Sequence, residues 1–304
     1  LIKNKKHLNI IDYLCVFSPL FVFYPIAELE SLGRKEILIF LSFAYLVSKD
    51  AKNFTMTMVV YSIIILPILI FSWEISLLFF PFYFVVFYLR HNCLSFKGFL
   101  VIVSIFIPSL ISFSFIWFSP LSLGGHKVMC ESLQLIDNGC WGASSMLVTA
   151  TIYFDTFWVN QKAVAANYLT YLIYFLIGFS PLFFTMKETT KKFQKIFLLD
   201  NIKHPSLFFL IIFIPVPLIF TFGLDWGRWI NILFSLTYML FLFLRENDFI
   251  KIKNIGLHWG KGKIFIIFFI CCLSWNPKIL LWDDTGSFPH HRSLNKIVKF
   301  ISSL

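Results

Sequence analysis

Apolar runs separated by short charged loops recur along the whole chain, near Ile10–Ile26, Glu36–Val47, Thr55–Ser72, Ile75–Leu89, Gly98–Phe118, Val164–Phe184, Leu207–Phe222, Trp229–Leu244 and Ile264–Trp275. Crossing a hydrocarbon core of about 30 Å takes roughly 17–25 apolar residues as a helix. In lipid a helix also satisfies its own backbone N–H and C=O groups, which an irregular segment cannot do. The expected fold class is therefore all-α, a polytopic transmembrane helix bundle of about nine spans, with 1–304 forming a single integral membrane domain. The second run is notably short. With 58% hydrophobic and only 14% charged residues, no stretch is left over for a soluble domain. The 40 phenylalanines invite a reading as an aromatic channel, but Phe, Ile, Lys and Asn are enriched together, as an AT-rich genome produces. The first run is too long and too interrupted by Pro19 for a cleaved signal peptide, and it is kept as a span.

Charge decides how the uncertain stretch Ala143–Val159 is treated. It is apolar enough to cross, yet it carries Thr149, Thr151, Asp155 and Thr156. If it does not cross, 17 of the 26 Lys and Arg residues fall in loops on one side; if it does, they divide equally. Insertion machinery reads an excess of basic residues as the cytoplasmic side. The nine-span arrangement follows, in the cell inner membrane, with the N-terminus cytoplasmic and the C-terminus outside. The net charge of +10 is then an orientation signal spread over loops, and no nucleic-acid partner is expected.

On the outer side this arrangement leaves 119–163 as a loop plus an amphipathic or re-entrant segment, and 276–304 as a tail. Leu294, Ile297, Val298, Ile301 and Leu304 fall at helical spacing with polar residues between them, which reads as an interfacial helix on the membrane surface or as packing against the bundle. Cys130 and Cys140 share the outer loop, where an oxidising compartment permits a disulfide; the alternative is two free thiols. Prolines inside the runs, among them Pro67, Pro81, Pro108, Pro181, Pro215 and Pro217, are expected to kink helices and free carbonyls that the bundle must satisfy.

The sharpest chemical feature is Gly223-Leu-Asp-Trp-Gly-Arg-Trp229, a turn between two runs. Arg228 offers a planar fork that matches phosphate oxygens, and Asp225 is placed to accept a proton from a hydroxyl. The bland reading pairs Asp225 with Arg228 while Trp226 and Trp229 anchor the interface. Asp155 is the second candidate for chemistry, because a carboxylate within an apolar segment is costly and tends to face a polar cavity. Other outer carboxylates, Glu28, Glu30, Glu131 and Asp137, read as solvated loop residues. Asp283, Asp284, His290 and His291 have the chemistry of divalent-ion ligands but read as a solvated tail.

Several functions are argued against. All seven histidines lie in loops or at run edges, against paired in-membrane haem ligands. Gly256–Lys263 is one residue short of a phosphate-binding Walker loop, and HExxH, GxSxG and paired-cysteine zinc motifs are absent. No metal and no cofactor is expected.

The acid-Trp-Gly-Arg-Trp turn of Asp225–Trp229, in a Phe/Ile-rich multi-pass chain, resembles bacterial membrane proteins of surface-polysaccharide assembly, the O-antigen-polymerase-like proteins and related membrane glycosyltransferases. The resemblance implies an enzyme that transfers a glycan between polyprenyl-diphosphate carriers at the outer leaflet. In it Arg228, with Trp226 and Trp229, binds the substrate, and Asp225 or Asp155 activates the acceptor. Partners are membrane lipids and a polyprenyl-diphosphate glycan. A transporter or flippase of an anionic or lipid-linked substrate, with the Pro215/Pro217 break as a hinge, is the alternative from another class; a noncatalytic membrane scaffold is the third.

Overall fold

A computed structural model of the chain describes residues 10–16, 18, 20–21, 35–49, 54–91, 96–119, 128, 131, 171–172, 175–183, 185–186, 189–191, 209, 211–222, 226–252 and 301–302. These residues are mostly helical. The helices are α1 (Ile10–Val16), α2 (Glu36–Ser48), α3 (Phe54–Ser72), α4 (Phe80–Arg90), α5 (Phe96–Phe118), α6 (Pro217–Phe222) and α7 (Trp226–Glu246). By length and composition α3, α5 and α7 can each cross a membrane, whereas α2 has 13 residues. The expected tail helix lies outside the described residues except at 301–302, which are helical.

Proline sets the irregularities. Pro67 has no N–H for the carbonyl of Ile63 and its ring crowds that turn. The chain widens into a π-turn over Tyr61–Ile65, closed by Leu66 N–H donating to Tyr61 O. Before Pro108, α5 tightens at 105–106, where Ile105 N–H bonds Ile102 O and Phe106 N–H bonds Val103 O. There Ser62 Oγ of α3 donates to Ile105 O at 2.8 Å, a side chain from one helix answering a carbonyl in the break of another. The run expected as one span over Ile75–Leu89 is two pieces, a 3-10 helix over Glu74–Phe79 and then α4, whose first turn accommodates Pro81.

The directions of the helices follow from their contacts. At the starts of α2 and α7, Glu36 meets Arg228. At the ends of α2, α4 and α7, Arg90 donates to Val47 O and faces the ring of Phe243. These three helices therefore run the same way, from a Glu36 end of the bundle to an Arg245 end. α1 and α3 run the opposite way: Asp12 lies against Arg245 and Leu20 against Asn231, while Phe54 lies under Arg90 and Trp73 under Arg228. α5 follows α3, starting with Phe99 against Tyr88 and reaching the 74–79 helix. The helical residues 171–172, 175–183 and 185–186 lead from Tyr171, packed on Trp226, past Gly178, toward β1 (Thr189–Lys191). Thus Phe118 and Tyr171 both lie at the Glu36 end.

A two-stranded sheet closes the Arg245 end. β1 pairs antiparallel with β2 (Ile250–Ile252) in the register Thr189↔Ile252, Thr190↔Lys251, Lys191↔Ile250. It follows a defined stop of α7. Asp248 takes the left-handed conformation at φ 59°, Phe249 N–H bonds Leu244 O at 2.8 Å, and Asp248 N–H bonds Arg245 O. The Phe249 ring packs on Phe243, completing a Schellman stop with aspartate where glycine is usual.

The core is centred on α7, buried at every position from Trp226 to Leu244. Aromatic rings fill the space around it: Phe234 meets Phe179 edge-on at 5.0 Å, and Phe220 meets both Trp226 and Trp229. A hydroxyl cluster joins three other helices, with Tyr83 OH 2.7 Å from Ser42 Oγ and donating to Ile39 O, and Tyr61 OH donating to Ser42 O. α2, α3 and α5 instead expose Leu41, Ile63, Phe71, Ile111 and Phe115, an apolar exterior suited to lipid.

Candidate functional site

Arg228 lies in the first turn of α7, not in a connecting turn. α7 begins at Trp226, three residues earlier than the apolar run suggested, so Trp226, Gly227 and Arg228 are helical. The arginine is buried, and its Nη1 lies 2.6 Å from Oε1 of Glu36, the first residue of α2. The contact is an ion pair without the alignment of a hydrogen bond, and the second Glu36 oxygen is buried without a hydrogen-bond partner. The Arg228 guanidinium also faces the Trp73 ring at 5.6 Å, and Lys35 Nζ stands 5.4 Å from the same ring. Removing two charges from water is expensive, and mutual attraction offsets it only in close geometry. Carboxylate, guanidinium and indole therefore form one unit.

The two tryptophans are both buried. Trp229 is fully enclosed with its Nε1 lacking a hydrogen-bond partner, and Trp226 is wedged between Tyr171 and Phe220. Both pack against Phe220. Asp225, Asp155, Cys130 and Cys140 lie outside the described residues; of the sequence-derived set, Arg228, Trp226 and Trp229 are described, all three in the first turn of α7.

Glu36 was missed as a site residue, and so was Asp12. Arg245, at the other end of α7, places Nη1 2.7 and 2.9 Å from the two oxygens of Asp12, and lies 3.7 Å from Glu246. Tyr238 OH donates to Asp12 O at 3.3 Å. Between the two ion pairs, Asn231 Nδ2 donates to Leu20 O at 2.7 Å, where α1 has ended and the chain turns. Ser18 Oγ in that turn accepts from Leu20 N–H and donates to Gly178 O. The signal that would have found both acids was available: a carboxylate inside or heading an apolar run needs a partner. Among the described residues no group of three or more His, Cys, Asp or Glu side chains gathers to hold a metal ion.

No protein-family model, no curated protein and no solved structure matches the chain.

Proposed function

We propose that the chain is a nine-span protein of the inner membrane that acts on a lipid-linked glycan at the membrane face formed by the Glu36 end, as a polysaccharide polymerase or related glycosyltransferase. The observation that carries this reading is Arg228, buried at the head of α7 against the Trp73 ring, with the Glu36 carboxylate 2.6 Å away. A guanidinium at that depth matches diphosphate oxygens in charge and shape, and a substrate that brings two phosphates competes with Glu36 for it. Asp225 or Asp155 then takes the proton of the acceptor hydroxyl, as general base.

Two features support the topology. Phe118 and Tyr171 lie at one end of the bundle, as they must if Ala143–Val159 makes no net crossing. The described basic residues are also uneven: Lys49, Arg90, Lys97, Lys191, Arg245 and Lys251 sit toward the Arg245 end, against Lys35 and Arg228 at the other. By the positive-inside rule the Arg245 end is cytoplasmic.

The test is binding of a polyprenyl-diphosphate sugar to the purified protein in nanodiscs. Arg228→Lys should weaken it at least about tenfold, because a point charge loses the bidentate contact. Equal binding by the variant sinks the reading. Lys35→Cys should label with an impermeant thiol reagent from outside and Lys251→Cys only from the cytoplasm; the reverse pattern removes the outer-leaflet assignment.

A further inference from the structure

Five polar residues of α7 share one face, while Thr237 on the opposite side returns its hydroxyl to Leu233 O of its own helix. Arg228, Asn231, Ser235, Tyr238 and Arg245 are spaced by 3, 4, 3 and 7 positions, which at about 100° per residue confines them to one sector of roughly 100° along the helix. For most of its length this stripe faces the α1 segment: Asn231 binds Leu20 O, Tyr238 binds Asp12 O and packs against Phe21, and Arg245 binds the Asp12 carboxylate. The two arginines stand about 25 Å apart along the axis, close to the thickness of a hydrocarbon core. Each meets an acid from a different helix, Glu36 of α2 at one end and Asp12 of α1 at the other, with Glu246 also 3.7 Å from Arg245. A helix that needed only to be held in place does not require either charge, since apolar packing of the same volume is often as stable as a buried ion pair.

We propose that the α1–α7 seam is a translocation path for a phosphate-type anion, closed in this structure at both ends, with Glu36–Arg228 and Asp12–Arg245 as its two closures. An anion entering at either end takes the arginine from its acid, and opening is confined to that end while the opposite pair holds. Asn231, which joins α7 to the carbonyls where α1 breaks, lies between the closures and is the point the anion must pass. The inference stands on the seam alone and does not depend on the substrate being a glycan. The anion is either the headgroup phosphate of a lipid or a free phosphate.

Cys15, buried in α1 one helical turn after Asp12, is a reporter inside the seam. With the other five cysteines replaced, Cys15 should react slowly with a water-soluble maleimide. Asp12→Asn should speed that reaction at least about tenfold, whereas Arg228→Gln should not, but should speed labelling of Leu20→Cys instead. Transport is then measured in vesicles of phosphatidylethanolamine and phosphatidylglycerol. One arm follows dithionite bleaching of fluorescent phosphatidylglycerol and the other follows efflux of inorganic phosphate. The expected result is a rate above protein-free vesicles in one arm, which identifies the source, and its loss in Asn231→Leu while that variant stays monodisperse. The proposal is overturned if neither arm exceeds protein-free vesicles, if Asn231→Leu transports as wild type, or if each closure variant exposes both reporters alike, as a merely structural seam would.

Discussion

α5 and α7 are both long enough to span a membrane, and they divide the work of the bundle differently. α5 is rich in Ile, Val and Phe and exposes most of them, with Leu110, Ile111, Phe115 and Phe118 pointing outward while Ser109 and Ser112 are buried. α7 carries two arginines, an asparagine, a serine, a threonine and a tyrosine, and is enclosed from Trp226 to Leu244. The least apolar of the three long helices is the most buried. In water the hydrophobic effect would place them the other way round. In lipid there is no reward for hiding a leucine, but there is a penalty for exposing an arginine, so polarity marks the centre.

The largest effect that tests this contrast comes from removing one partner of an α7 ion pair. Arg228→Met leaves Glu36 buried and uncompensated and should destabilise the protein by about 3–5 kcal/mol, read as denaturant stability in detergent. Adding Glu36→Leu should recover most of the loss, and a double variant no better than the single would show that the pair does not act as a unit. Next is the close approach of 178 to the α1 break. A Cβ on Gly178 would lie 2.1 Å from Leu20 Cδ1, and Leu20 is fully enclosed, so Gly178→Ala should cost about 1–3 kcal/mol. Asn231→Leu removes the hydrogen bonds from Nδ2 to Leu20 O and Phe21 O and should cost about 1 kcal/mol, within the range found for such bonds in membranes. The smallest effect belongs to α5: Phe115→Ala on its exposed face should stay within about 0.5 kcal/mol. If Phe115→Ala matched Arg228→Met, α5 would be packed against something, and the contrast between the two helices would fail.

Much of the layout was legible because hydrophobic run length is a strong local signal. Glu36–Ser48, Phe54–Ser72 and Phe96–Phe118 lie within two residues of the runs read from sequence. The start of α7 was displaced because Gly227 and Arg228 look like a turn when judged alone; Glu36, which lets a helix carry that charge, is nearly two hundred residues away in the chain. The same distance hid Asp12 as the partner of Arg245. The strand pair was invisible for another reason: Thr189–Lys191 and Ile250–Ile252 are three residues each, too short for an alternating pattern to declare itself, and only their meeting makes them strands.

The separation between Asp12 and Arg245, 233 positions, has a meaning in time. At about 5–20 residues per second of synthesis, α1 waits roughly 10–50 s after emerging before its arginine is made. Through that interval Asp12, and for a little less time Glu36, enter the bilayer as acids without their native partners, each opposing insertion by about 3 kcal/mol if it reaches the bilayer centre. The earliest helices are thus only provisionally seated, and α7 secures them when it arrives. Nascent chains that stop short of Trp226 should leave α1 free to slip back out, which makes completion of one late helix the checkpoint for membrane assembly of the whole chain.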